Sequence, residues 1–265
     1  MHAAEREQLI LSLLADRGFI AFQDLDGRVG ASAATIRRDL EKLENAGKIT
    51  RVRGGARLVR PEEPAQGGPH LSGVPFHENL SRNLAAKQAI GRAAASLCRS
   101  GDSVIIDGGS TTLQMCPHLE ELSLHVLTNS LHIVSALLPQ QRTSIAMPAG
   151  TLFREQNIIL SPYQDDGMSR YRASRMFMGA AAAGPYGVMQ TDVILVQAER
   201  RLIGLADELV LLVDSSKFEA QTGHMVCGLD DVAVLITDDG ISDASAAAIE
   251  ASVDRLIVVP RGNGK

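Results

Sequence analysis

From residue 103 to residue 259, short aliphatic runs keep returning, and helical spacing follows most of them. Ser103-Val104-Ile105-Ile106-Asp107, His125-Val126-Leu127-Thr128, Met176-Phe177-Met178, Leu209 to Val213, Val232 to Ile236 and Leu256 to Val259 read as strands. Helices are expected from Thr112 to Leu119, Leu131 to Leu138, Asp192 to Leu205 and Ser245 to Ala251. Strands that are apolar along their whole length are buried on both faces, so this alternation implies an α/β parallel sheet covered on both sides. Phe153 to Arg175 carries no clear period and reads as a strand plus a loop or helix.

The amino-terminal part has a different pattern. Arg6, Leu9, Ile10, Leu13 and Leu14 recur at spacings of three and four, giving an amphipathic helix that ends near Gly18. A short second helix is expected from Phe22 to Val29, with Leu25 and Val29 inward, and Gly30-Ala31-Ser32 makes a tight turn. Ser32 is a good N-cap for a third helix, on which Ile36, Leu40 and Leu43 share one stripe. Ala34, Thr35, Arg38 and Lys42 then face outward beside Arg37: small residues first, long cations one turn later, a pattern suited to a DNA groove. A surface helix with ordinary arginines would look similar. The residues after this helix favour DNA: Lys48 to Val52 alternates as a strand, Arg53-Gly54-Gly55 turns, and Ala56 to Val59 returns. Residues 1–60 thus read as a winged helix-turn-helix, with Arg51 and Arg53 on the wing.

Charge supports that reading locally. The chain has 265 residues and a net charge of −5, yet Arg28 to Arg60 holds nine cations against three acids. A phosphate backbone responds to the local patch. Three scattered cysteines (Cys98, Cys116, Cys227), no signal-like segment and no apolar run of ~18 residues lead us to expect a cytoplasmic protein off the membrane. The seven histidines have no zinc-ligand spacing, so neither metal nor cofactor is expected.

Residues 61–75, rich in proline and glycine, read as a linker, and 76–265 as a second domain that begins with a helix marked by Lys87, Ile90, Ala94 and Leu97. In a parallel sheet, ligands sit beyond the carboxyl ends of strands. Three such ends carry small polar residues. Asp107-Gly108-Gly109-Ser110-Thr111-Thr112 offers backbone N–H groups, hydroxyls and a helix start for an anion, or else an N-capped tight turn. Thr128-Asn129-Ser130 offers bonds to sugar hydroxyls, or a cap for its own helix. Asp214-Ser215-Ser216-Lys217 places a lysine where it neutralises an anion or stays solvated.

The first sixty residues resemble the DeoR family of bacterial transcriptional regulators. The resemblance rests on Arg6, Ile10 and Leu14, then Ser32, Thr35, Ile36, Arg37, Arg38, Asp39 and Leu40, then the wing Arg51-Val52-Arg53-Gly54-Gly55-Ala56. The remainder is similar to that family's sensor domain through the Lys87/Ile90 helix and the motifs at 107–111, 128–130, 149–150 and 214–217. The resemblance implies a fold like ribose-5-phosphate isomerase that senses a phosphorylated sugar or related metabolite. Ser110 and Thr111 would hold phosphate, Asp107 and Asn129 the sugar, and Lys217 the anionic end of the ligand. Gly150, Gly179 and Glu199 match further positions of the family's site. Two positions depart from it: Ala181-Ala182-Ala183-Gly184 follows Gly179-Ala180 where an acid and glycine are usual, and Ala149-Gly150 replaces Gly-Gly. The surroundings of Leu160-Ser161-Pro162 and Thr191-Asp192 are similar to regulators of ascorbate or pentose use.

The expected function is therefore a regulator, a repressor of a carbohydrate-utilisation operon, whose hold on double-stranded operator DNA changes with a phosphorylated sugar or sugar acid. A homo-oligomer, dimer or tetramer, is expected because paired half-sites multiply affinity. The competing reading is a sugar-phosphate isomerase fused to a DNA-binding module. Isomerisation needs a placed general base, and sequence alone does not bring Asp107, Glu199 or Asp214 together.

Overall fold

The structure, a computed structural model, describes residues 3–17, 19–21, 25, 29–45, 48–52, 55–58, 71, 76–161, 167–220 and 223–261. Its contacts divide the chain into two units, Met1–Gly68 and Pro69–Lys265.

In the first unit, α1 (Ala3–Arg17) and α2 (Ala33–Asn45) pack with a three-stranded antiparallel sheet ordered β1-β3-β2, where β1 is Phe19–Ala21, β2 Ile49–Val52 and β3 Gly55–Leu58. Ile10, Leu14, Ile36, Leu40 and Leu43 are buried together with Leu25 and Val29, so the stripe expected from sequence is the core. Most of the expected second helix lies outside the described residues, as do Arg53, Gly54 and the side chain of Arg51. Strand β1 was not read from the sequence; three residues are too short to show a period. Gly30 has φ +60°, the left-handed conformation that a glycine takes without strain in the turn before α2.

The second unit is built on a seven-stranded, wholly parallel sheet ordered β15-β14-β12-β9-β4-β5-β6. Its strands are β4 (Ser103–Ile106), β5 (His125–Leu127), β6 (Ser144–Ala146), β9 (Ala173–Met178), β12 (Ala206–Leu212), β14 (Val234–Asp238) and β15 (Arg255–Val259). Successive residues serve opposite faces. Ile105, Met176, Met178, Leu209 and Leu211 join one core with Val196 and Leu202 of α6 (Val193–Ile203) and Ile249 of α7 (Asp243–Glu250). Val104, Ile106, Phe177, Val210 and Leu212 join the other with Ile90 and Ala94 of α4 (Leu84–Ala95) and Ile133 and Leu137 of α5 (Leu131–Leu137). Each such fully buried aliphatic side chain contributes about 1.5–3 kcal/mol.

Several features differ from the sequence reading. Thr112–His118 is a 3-10 helix containing Pro117, not an α-helix. The unreadable stretch opens with a hairpin of β7 (Thr151–Phe153) and β8 (Ile158–Leu160). A second, antiparallel sheet, β10-β11-β13, is formed by Ala182–Gly184, Gly187–Gln190 and His224–Cys227. Leu71, inside the stretch read as linker, is buried against Phe153, Ile158 and Leu160. A short helix, α3 (Phe76–Ser81), precedes α4. Among the described residues no helix is long and apolar enough to cross a membrane.

Candidate functional sites

In the amino-terminal unit, Ser32 caps α2: its hydroxyl accepts from the Thr35 N–H at 3.3 Å, and the Ile36 N–H donates to the Ser32 carbonyl at 3.0 Å. Ala34, Arg37 and Arg38 are exposed and Thr35 is half-buried. Arg38 has no ion pair among the described residues. Asp39 is buried and receives a fork from Arg6, Nε to Oδ2 at 2.8 Å and Nη2 to Oδ1 at 3.2 Å. Lys42 stays on the surface, but its Nζ lies 2.7 Å from Glu7 Oε1, so its charge is already met by α1. The side-chain placement of Arg51, Arg53 and Gly54 lies outside the described residues; Gly55 opens β3.

In the sensor unit, a cleft of about 220 Å³ opens at the carboxyl end of β4. Asp107, Gly108, Gly109, Ser110, Thr111, Gly179, Glu199 and Lys217 all line it. The Ser110 and Thr111 hydroxyls have no hydrogen-bond partner among the described residues. Thr112 organises this turn, donating to the Asp107 carbonyl at 2.7 Å and accepting from the Gly109 N–H at 2.9 Å. The Gly109 N–H is therefore engaged internally rather than exposed to a ligand, a correction to the sequence reading.

The cleft has two electrostatic poles. Lys87 is almost fully buried, donates to the Asn79 carbonyl, and stands within electrostatic reach of Lys217 and Arg82. Burial pulls its ammonium down to about 8; Lys217 and Arg82 act in the same direction, against the charge of Asp214. Asp107 is pushed up to about 6 by burial, against bonds from the Gly108 N–H and the Asn129 side chain. Burial, then the Asp107 charge, hold Glu199 well above the usual carboxylate range. Glu199 Oε1 accepts from Gln190 Nε2 at 2.6 Å, while Oε2 is buried with no partner among the described residues. An unpaired buried polar atom facing a cleft is costly unless a ligand satisfies it.

The other expected residues stand elsewhere. Thr128 Oγ1 accepts from the Ser130 N–H at 3.1 Å and Ser130 Oγ caps α5 through the Ile133 N–H at 3.4 Å, the cap alternative for both. Asn129 borders a second cleft with Ile159, Leu160 and Arg201, and its Oδ1 has no partner among the described residues. At Gly150 a Cβ would sit 2.4 Å from the Leu160 carbonyl, so that glycine permits a close backbone approach. Asp214 does not line the cleft; it accepts from Asn83 Nδ2 at 2.8 Å and from the Ser216 backbone and hydroxyl, and so shapes the turn that carries Lys217. Cys116 is buried, and burial pushes its thiol up to about 12, away from redox chemistry.

Both halves match known family models: a DeoR-like helix-turn-helix domain over residues 6–62 and a DeoR C-terminal sensor domain over residues 82–239. The chain belongs to the DeoR family. Among curated relatives, the HTH-type transcriptional regulator UlaR of Salmonella newport is 31% identical over 251 residues, covering 95% of this chain and 97% of that one. UlaR of Salmonella enteritidis matches equally. Partial likenesses among solved structures include ribose-5-phosphate isomerase A of Methanocaldococcus jannaschii, with a TM-score of 0.37 and 18% identity over 54% of this chain and 55% of that one. Scores this low add nothing to the topology described above.

This DeoR-family chain is thus a helix-turn-helix transcriptional regulator with a sensor domain. Sequence reasoning missed Phe76, Asn79, Arg82, Gln156, Gln190 and Thr191 in the cleft, and read Lys87 only as a helix marker. Lys87 had a visible signal: it is a charge on an otherwise apolar stripe, and the informative observation is a polar residue on a buried face.

Proposed function

We propose that the chain is a repressor of a carbohydrate-utilisation operon, gripping operator DNA as a homo-oligomer and altering that grip when a phosphorylated sugar or sugar acid enters the cleft. The observation that carries this reading is the placement of two unengaged hydroxyls, Ser110 and Thr111, in one cleft with Arg82, Lys87 and Lys217. Three cations and two donors suit a phosphate. Asp107 and the unpaired Oε2 of Glu199 suit the hydroxyls of a sugar. At about 220 Å³ the cleft lies below the ~300–1,000 Å³ of drug-sized sites, room for one small metabolite. The UlaR relatives are named as regulators, and we extend a regulated carbohydrate operon to this chain from the cleft's chemistry.

On DNA, Arg37 and Arg38 read or clamp the groove from the exposed face of α2, with the wing at its side. Lys42, already paired with Glu7, contributes less. The test begins with a duplex selected by the full chain from a random pool. Replacing Arg37 and Arg38 by alanine together is expected to weaken that duplex by at least ~1–3 kcal/mol, the value of one base-reading arginine. Unchanged binding, measured by fluorescence anisotropy, would remove α2 as the reading helix.

A further inference from the structure

Residues 63–81 fall outside both family models, yet their described part is built into the sensor. Leu71 is 8% exposed and packs with Phe153, Ile158 and Leu160, alongside Ile194, Leu195 and Ala198 of α6. Five residues later Phe76 is 4% exposed, with its ring stacked on His132 at 4.1 Å and 12°. The Phe76 N–H donates to the Glu155 carbonyl at 3.2 Å, fixing the start of α3 against the β7–β8 hairpin. Asn79 is tied to the cleft through its carbonyl, which accepts from Lys87 Nζ.

Two residues stand at both places. Ile158 and Leu195 line the cleft and also belong to the cluster that buries Leu71. Phe76 and Asn79 line the cleft directly. A ligand there meets Phe76 and Asn79 of α3, an apolar ring and a polar residue, residue types suited to the C–H and O–H groups of a sugar. The covalent path from the DNA-binding unit enters the sensor through this same stretch, whatever the relative placement of the units.

Allosteric coupling requires that a ligand favour one of two arrangements by differential contact. A wholly flexible tether carries no such preference, whereas a docked segment that shares its packing residues with the ligand does. We propose that α3 forms one wall of the effector site, with Phe76 and Asn79 touching the ligand, and that Leu71, packed behind the cleft on Ile158 and Leu195, transmits occupancy of the cleft to the DNA-binding unit. The proposal rests on the sugar-phosphate reading above.

The experiment uses the full chain, a duplex selected from a random pool, and the pentose or hexose phosphate that gives the largest thermal shift in a panel. Wild-type protein is expected to change its duplex affinity at least tenfold on saturation with that probe. With Leu71→Ala the change should shrink below threefold, while calorimetric affinity for the probe stays within threefold of wild type; Leu71→Met should restore the response. Hydrogen exchange on the unmodified chain gives a second reading that is independent of the variant's folding. Amides from Leu71 and from Phe76 to Ser81 should slow at least fivefold with the probe present. A full DNA response in a folded Leu71→Ala protein, or unchanged exchange across these amides, overturns the proposal while leaving the sugar-phosphate reading intact. If wild-type protein shows no probe-dependent change in duplex affinity at all, the underlying reading falls and the proposal with it.

Discussion

Strands β4 and β5 lie side by side and parallel, and each runs into a turn of small polar residues: Asp107 to Thr112 after the first, Thr128 to Ser130 after the second. The second turn consumes its hydroxyls. Thr128 holds the Ser130 N–H and Ser130 caps α5, which leaves only Asn129 Oδ1 unengaged. The first turn delegates that internal work to Thr112 alone, so Ser110 and Thr111 face the cleft with their hydroxyls available. A glycine lets the two turns approach. A Cβ at Gly108 would lie 2.6 Å from Ile158 Cγ2 and 3.3 Å from Ser130 Cβ, so the first turn passes closely beneath the second. Like residue types therefore serve either a ligand or the fold, according to whether a neighbouring residue has already satisfied the turn.

The largest test of this contrast removes the available hydroxyls. Ser110→Ala combined with Thr111→Ala should lower affinity for a sugar-phosphate probe by at least ~100-fold, since each hydrogen bond to a charged acceptor is worth ~1.5–3 kcal/mol. Thermal stability should barely move. Calorimetry that returns wild-type affinity for the double variant would erase the distinction between the two turns.

A smaller effect, about tenfold or ~1.4 kcal/mol, is expected from pH. Lys87 keeps its charge in the folded protein only up to about pH 8, against 10.5 for an unperturbed lysine. Above pH 7 the second phosphate ionisation near ~6 is largely complete, so anion affinity should fall through about pH 8 and beyond as Lys87 loses its proton. The stability of the empty protein should move the other way. Between about pH 8 and 10.5 the unfolded chain binds more protons at this residue than the folded one, so stability rises with pH. Lys87→Met should abolish both trends; an affinity profile that is flat to pH 9.5 would contradict the role given to this ammonium.

The smallest effect should fall on the second turn. Ser130→Ala removes the cap of α5 and should cost about 1 kcal/mol in urea unfolding, with probe affinity within twofold of wild type. A tenfold loss of ligand affinity in this variant would mean that the second turn also serves the ligand.

Helix α2 was legible because three local signals agree there: a serine cap, an apolar stripe of Ile36, Leu40 and Leu43, and cations on the opposite face. The aliphatic strands were legible because burial on both faces leaves long apolar runs at their centres, with polar residues such as Arg175 and Glu208 kept nearer their starts. The antiparallel sheet was not, because Ala182–Gly184 carries neither β-branched residues nor alternation. At the site, sequence identified the residue types at each strand end but not their engagement, which depends on which hydroxyl a neighbouring backbone N–H reaches first. Phe76 and Asn79 were hidden for another reason. Proline and glycine nearby made the residues before α3 read as a tether, whereas Leu71 is buried in a cluster with Phe153, Ile158 and Leu160.

One feature of the amino-terminal unit limits what a metabolite signal can do. Arg6 forks onto Asp39 and Glu7 meets Lys42, so α1 clasps α2 on two successive turns while their shared stripe fills the core. Such a helix cannot roll or unwind by itself without stranding a buried carboxylate. On the DNA-binding role proposed above, α1 and α2 would then come away from an operator together, as a key is withdrawn whole.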